Sequence, residues 1–179
     1  FNLSIISAVE VTDDPVDASF VMGTGGTLSV TATGGGTITY QWEKFDPKSR
    51  KWAAVEGATS ATLTVADVQS GTVGEYRCVV DNVASSDYSK GGDLGMYIVP
   101  TFKTHPRSYS LNEARKVTLK AFANGDPDPS YQWEKSTDDG ASWQEVSKAT
   151  KSELAFSKVS TNNAGRYRVK AINGGGITT

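Results

Sequence analysis

An all-β chain built from two copies of one pattern is what this 179-residue sequence predicts, on three observations. The segment Gly74-Glu75-Tyr76-Arg77-Cys78-Val79-Val80 returns as Gly165-Arg166-Tyr167-Arg168-Val169-Lys170, with Tyr76 and Tyr167 standing 91 positions apart. Short stretches in which apolar and polar residues alternate recur along the chain, and that is the period of a half-buried strand. Eighteen glycines punctuate them, and no long run carries an apolar stripe at helical spacing.

Taken in order, residues Phe1 to Val11 place Ile5, Ile6 and Val9 among serines and read as an opening strand before a turn at Asp13-Asp14-Pro15. Thr27-Leu28-Ser29-Val30-Thr31-Ala32 alternates, and Gly34-Gly35-Gly36 then turns the chain. In Ile38-Thr39-Tyr40-Gln41-Trp42-Glu43 the period of two puts Ile38, Tyr40 and Trp42 on one face, which should be the buried one. A hairpin through Phe45 to Arg50 leads to Trp52 and Val55, Glu56-Gly57 interrupts, and Ala61 to Val65 alternates again. Val68 lies in the corner before Gly74. Tyr76, Cys78 and Val80 then face inward together, a loop from Ala84 to Gly91 follows, and Leu94 to Val99 makes a last strand.

After Pro100 the pattern restarts. At the offset of 91 no gap is needed from Pro15/Pro106 through Asn82/Asn173, and Tyr40-Gln41-Trp42-Glu43-Lys44 is repeated as Tyr131-Gln132-Trp133-Glu134-Lys135. Trp52 pairs with Trp143, Leu28 with Leu119, Leu63 with Leu154 and Val68 with Val159. Two domains follow, 1–99 and 100–179, joined through the short Val99-Pro100-Thr101 junction in a linear arrangement with restricted hinge motion. The second copy reaches Thr179 before the residue matching Leu94, so its last strand is expected to be missing, disordered or supplied from elsewhere.

A formal charge of −2 with scattered lysines and arginines argues against a phosphate-gripping face, so no nucleic-acid partner is expected. No apolar run approaches the roughly 20 residues that cross a bilayer as a helix, and no membrane insertion is expected.

The Trp on the third strand and the Gly-led corner into Tyr-x-Cys resemble the pattern of tandem immunoglobulin-like β-sandwiches. Val117-Thr118-Leu119-Lys120-Ala121, then Gly125-Asp126-Pro127-Asp128-Pro129, then Trp133, is similar to the intermediate (I-set) type. The resemblance implies a core around Trp42 and Trp133. It makes Tyr76 and Tyr167 corner residues whose hydroxyls bond backbone upstream. It puts Cys78 and Val169 at the second disulfide position, with Val30 and Ala121 at the first. With one cysteine in the chain no internal disulfide forms, and a bridge commonly worth about 2–5 kcal/mol has to be replaced by packing. Such disulfide-free domains suit assembly in a reducing host cytoplasm. Thr37 to Trp42 and Gly57 to Val65 look like modules of tailed-phage and bacterial proteins, and the family named on this basis is the highly immunogenic outer capsid decoration proteins of T-even-like phages.

Chemistry-bearing motifs are sparse. Ser136-Thr137-Asp138-Asp139-Gly140-Ala141-Ser142-Trp143 fits an S-x-D-x-G-x-x-W hairpin box, read here as a turn in which Asp138 bonds nearby backbone. Asp126 and Asp128, with Asp13 or Asp14, could supply oxygens to calcium, but Asp-Pro sequences favour a solvated turn. His105 has no ligand-spaced neighbours, and Lys44, Lys48, Arg50 and Lys51 make a local basic spot on the hairpin. Asn2-Leu3-Ser4 is a glycosylation sequon. No catalytic residues, cofactor or metal site are expected. The expected function is non-enzymatic display on a virion surface, held to the capsid through a region outside this chain, with weak attachment to bacterial surfaces or glycans. Tyr88, in the loop after the strand of Tyr76, is the candidate binding residue. A bacterial cell-surface adhesin and a non-catalytic accessory domain of a larger enzyme are the alternatives.

Overall fold

The computed structural model describes residues 3–179. Asn2 of the sequon and the first two residues of the expected opening strand lie outside the described residues. The chain divides into two compact units, Phe1–Met96 and Tyr97–Thr179. Among the described residues all regular structure is strand, apart from one 3-10 turn at Thr161–Asn163. The division falls three residues before the expected boundary, and Val99-Pro100-Thr101 lies within a strand that runs from Gly92 to Thr104.

In the first unit the strands are β1 (Glu10–Asp13), β2 (Ala18–Val21), β3 (Gly26–Ser29), β4 (Thr31–Thr33), β5 (Thr39–Asp46), β6 (Lys51–Ala54), β7 (Thr62–Val65), β8 (Gly74–Asp81), β9 (Ser86–Tyr88) and the start of β10 (Gly92–Thr104). Strand β3 pairs with β7 and β1 with β4, while β6, β5, β8 and β10 lie side by side with β9 also on β8. The expected opening strand is displaced: residues 3–9 are not in a strand, and β1 takes in Asp13, which the sequence assigns to a turn. The stretch Thr27 to Ala32 is two strands, because Val30 donates its N–H to Ala61 at 3.0 Å and the chain changes partner there. Between the two layers lie Val9, Leu28, Val30, Trp42, Leu63, Val68, Tyr76, Cys78, Val80 and Leu94. Trp42 and Cys78 are directly opposite on β5 and β8 and both fully buried. Burying large apolar side chains contributes about 1.5–3 kcal/mol each, so a few such residues match what a disulfide supplies.

The second unit contains β11 (Val117–Lys120), β12 (Phe122–Asp126), β13 (Ser130–Ser136), β14 (Gln144–Glu145), β15 (Glu153–Phe156), β16 (Arg166–Asn173) and β17 (Gly176–Thr178). Strand β11 pairs with β15, the order β14-β13-β16-β17 forms the other sheet, and the later part of β10 pairs with β12. Its core gathers Leu119, Ala121, Trp133, Ala149 and Val169, with Trp133 opposite Val169.

The repeated sequence produces repeated bonds. Trp42 Nε1 donates to Ser60 O at 2.9 Å, and Trp133 Nε1 to Lys151 O at 2.8 Å. Gln41 Nε2 donates to Trp42 O and Val55 O, and Gln132 Nε2 to Trp133 O and Val146 O. Each buried tryptophan therefore keeps its one polar group bonded. The hydroxyl of Tyr76 donates to Thr72 O at 2.5 Å and that of Tyr167 to Asn163 O at 2.9 Å. Gly74 and Gly165, which lead into these tyrosines, have φ of +134° and +145°, a backbone region that a side chain rarely adopts.

Candidate functional site

Strand alternation decides what each unit shows to solvent. On β8 the inward residues are Tyr76, Cys78 and Val80, which leaves Arg77 on the outer face of the sheet. Its guanidinium lies 4.5 Å from the ring centre of Trp52 on β6 and 4.7 Å from that of Tyr88 on β9. Nε and Nη2 of Arg77 both reach Glu43 Oε2 at 2.7 Å, and Phe45 extends the aromatic row, 5.2 Å from Trp52. Stacking on two rings while bonded to a carboxylate fixes the guanidinium plane, a geometry that suits arginine and not lysine.

The second unit repeats this without its last ring. Arg168 lies 4.4 Å from the Trp143 ring centre and donates through Nε to Glu134 Oε2 at 2.6 Å, and Lys170 reaches Glu134 Oε1 at 2.5 Å. Burial raises the Glu134 carboxyl, but the bonds from Lys170 and Arg168 outweigh it and hold the group below its usual range. The position matching Tyr88 is Thr179. The first unit alone therefore carries an aromatic pair around its arginine.

Tyr88 is not in a loop. Residues Ser86–Tyr88 form β9, paired with β8 through Val79↔Tyr88, Val80↔Asp87 and Asp81↔Ser86. Asp87 Oδ2 also accepts the Val11 N–H at 2.8 Å, which ties this edge to β1. The result is a rigid strand edge with the Tyr88 side chain 54% exposed.

The other residues singled out from sequence sit in the two interiors or in turns. Val30, Trp42, Tyr76 and Cys78 are buried in the first unit, and Ala121, Trp133 and Val169 in the second, where Tyr167 is partly covered. Burial pushes the Cys78 thiol up to about 11, and the Cys78 N–H donates to Ser89 Oγ at 2.8 Å. Asp138 accepts from Ser136 Oγ at 2.7 Å and from Ser142 N–H at 2.9 Å, and these bonds, with that of Ser142 Oγ, hold its carboxyl far below the usual range. The box is thus a closed hairpin turn. Asp14 is lowered by its bonds from Lys90. His105 faces Phe102 with ring centres 5.3 Å apart. Lys44 of the basic spot donates to Gly71 O at 2.6 Å, as Lys135 does to Asn162 O. Among the described residues no cluster of three or more His, Cys, Asp or Glu is placed to hold a metal.

The Glu43–Trp52–Arg77 group was readable in the sequence, since its three members recur at the same offset as Glu134, Trp143 and Arg168. Such a surface can stack against a flat partner.

Residues 99–173 match the family described as immunoglobulin domain. The chain has the immunoglobulin-like fold. As an immunoglobulin-like chain it is 31% identical over 150 residues to Endoglucanase C of Cellulomonas fimi, covering 83% of this chain and 13% of that protein. It is 28% identical over 171 residues to mouse Hemicentin-2, covering 95% of this chain and 3% of the other. Among solved structures, Sidekick-1 immunoglobulin domains 1–5 superpose with a TM-score of 0.77 at 21% identity, over 98% of this chain and 38% of that one. The chain therefore spans a small part of each curated relative. The same fold also occurs in a solved structure described as Down Syndrome Cell Adhesion Molecule, with a TM-score of 0.58 at 17% identity and coverage of 96% of this chain and 22% of that one.

Proposed function

We propose that this chain is a non-catalytic attachment module of a longer protein: two tandem immunoglobulin-like domains, the first presenting a rigid aromatic edge at Trp52, Arg77 and Tyr88. The observation that carries the reading is that edge, where an exposed tyrosine stands beside a guanidinium already neutralised by Glu43. Aromatic faces with a fixed guanidinium bind by stacking at low ordering cost. The partners are bacterial-surface or other glycans, met weakly and at many copies. The placement is the surface of a tailed-phage virion, with capsid binding through a region outside this chain; the sequence resemblance and the absence of a disulfide support it. Imaging particles with and without the protein tests the placement, and identical particle surfaces would remove it.

A second reading is favoured by one finding, the 31% identity to a segment of Endoglucanase C. In it the chain is a non-catalytic accessory domain of a larger enzyme. Sedimentation of the chain with insoluble cellulose and with whole bacterial cells separates the two: retention by cells alone supports surface attachment, and retention by cellulose alone supports the accessory role.

A further inference from the structure

The aromatic edge of the first unit runs into a hairpin whose charge the second unit does not share. Residues 46–51 close the turn from β5 to β6 and carry Lys48, Arg50 and Lys51 against one carboxylate, Asp46. At the offset of 91 the three cations become Asp139, Ala141 and Ser142, and the matching hairpin is acidic, with Asp138 beside Asp139. Lys48, Arg50 and Lys51 are all exposed, and among the described residues none of them forms an ion pair. Lys44, the fourth member of the basic spot, is held by Gly71 O instead. Free cations gathered on one turn set up a local field of one sign.

The neighbouring carboxylates do not cancel it. Asp46 accepts from the Lys48 N–H at 2.9 Å and from Ser49 Oγ at 2.7 Å, which folds it into the turn. Glu43 is bonded to Arg77. Glu75, two residues before Arg77 on β8, lies over Gly91 and leaves no room for a Cβ there.

Hairpin and aromatic row are continuous. Phe45 and Trp52 stand opposite each other at the base of the hairpin, Arg77 lies on Trp52, and Tyr88 lies on Arg77. Tyr88 pairs with Val79, which pairs with Gln41, so along β5 the row extends from the level of Gln41 to Phe45. Those four residues of strand span about 13 Å, longer than one sugar ring. A glycan on the row therefore reaches the hairpin as a chain.

Resting on the reading of this edge as a glycan site, we propose that its ligand is a carboxylated polysaccharide. Its uronic acid sugars stack their ring faces along Tyr88, Trp52 and Phe45 and bring their carboxylates to Lys48, Arg50 and Lys51. Each uronate carries a ring face and a planar carboxylate together, so one repeating sugar matches both parts of the surface, and arginine donates to such a carboxylate in pairs. Arg77 adds no net charge, since Glu43 neutralises it; it fixes the rings. The acidic hairpin of the second unit repels the same ligand.

The whole chain, measured by calorimetry against polygalacturonate and against the same polymer fully methyl-esterified, separates charge from rings. The wild type should bind the acid form about tenfold more tightly than the ester at low salt, as a few exposed ionic contacts give. That preference should vanish at about 0.5 M salt. A triple variant, Lys48→Gln with Arg50→Asn and Lys51→Gln, should bind both polymers as the wild type binds the ester. Its unfolding midpoint should match the wild type, because the three side chains are exposed and Asn tolerates the φ of +55° at position 50. Tyr88→Ala should weaken binding of both polymers alike. Equal binding of the two polymers by the wild type, lost in Tyr88→Ala, would overturn the acidic ligand and leave the aromatic edge as a site for neutral glycans. An acid preference that survives in the triple variant would contradict the role of the hairpin. Binding of neither polymer would also sink the proposal, and attachment of Tyr88→Ala to cells would then decide the broader reading. Tighter binding of a single-stranded oligonucleotide than of polygalacturonate would replace the carboxylated ligand with a phosphate one.

Discussion

Cys78 shows most plainly how this core replaces a disulfide. It is the only cysteine, fully buried, directly across from Trp42, and near Val30 in the same cluster. With its thiol pushed from about 9 up to about 11 by burial, the stability that its protonated form gives is fully present at neutral pH and is lost as pH rises from about 9 to about 11. Titration with a thiol reagent at pH 8 should find no rapid reaction in the native protein and one thiol per chain after unfolding. The corner tyrosines make a second expectation: Tyr76→Phe removes the bond to Thr72 and should lower stability by about 0.5–1.5 kcal/mol in denaturant titration, with the strand content unchanged. Glu134 gives a third. Its carboxyl is held low, so it contributes stability above its unfolded value that disappears as pH falls through that range. Glu134→Gln should therefore lower stability at pH 7 and flatten the loss between about pH 5 and 3, as measured by denaturant midpoints across pH.

Among the elements, those with apolar alternation are legible in the sequence. Strands β5, β7 and β8 follow the alternation, with Trp42, Leu63, Tyr76, Cys78 and Val80 all inward. Strand β9 was not legible. Ser86-Asp87-Tyr88 has no apolar alternation, and it is a strand because β8 offers a free edge and Asp87 anchors it to Val11. The opening strand failed for the opposite reason: Ile5 and Ile6 supply apolar residues, but no strand edge in their own unit takes them. The division at Val30 depends on a change of pairing partner, which a continuous alternation hides. Asp87→Ala should consequently loosen β9. Amide exchange at Val11 and Tyr88 should accelerate while that at Trp42, whose N–H donates to Ala58, is unaffected, because only the edge loses its anchor.

For the whole molecule, the repeat carries the architecture, and the proposed attachment rests on a difference between the copies. Tryptophans, corner tyrosines and Glu–Arg pairs recur at one spacing, and their bonds recur with them. One single-copy feature stands out against that background, the Tyr88 ring on the first unit. The paired arginine could be read from the repeat, whereas the ring beside it could not, since β9 brings it there without any apolar alternation. The attachment reading depends on this feature. Its most direct measurement compares wild type with Tyr88→Ala in binding to bacterial cells, with thermal unfolding recorded on the same samples. Tyr88→Ala should lose about tenfold or more in apparent affinity with the unfolding midpoint nearly unchanged, the cost of removing an exposed aromatic contact. Undiminished binding by the Tyr88→Ala chain would contradict the assignment of the aromatic edge as the attachment site.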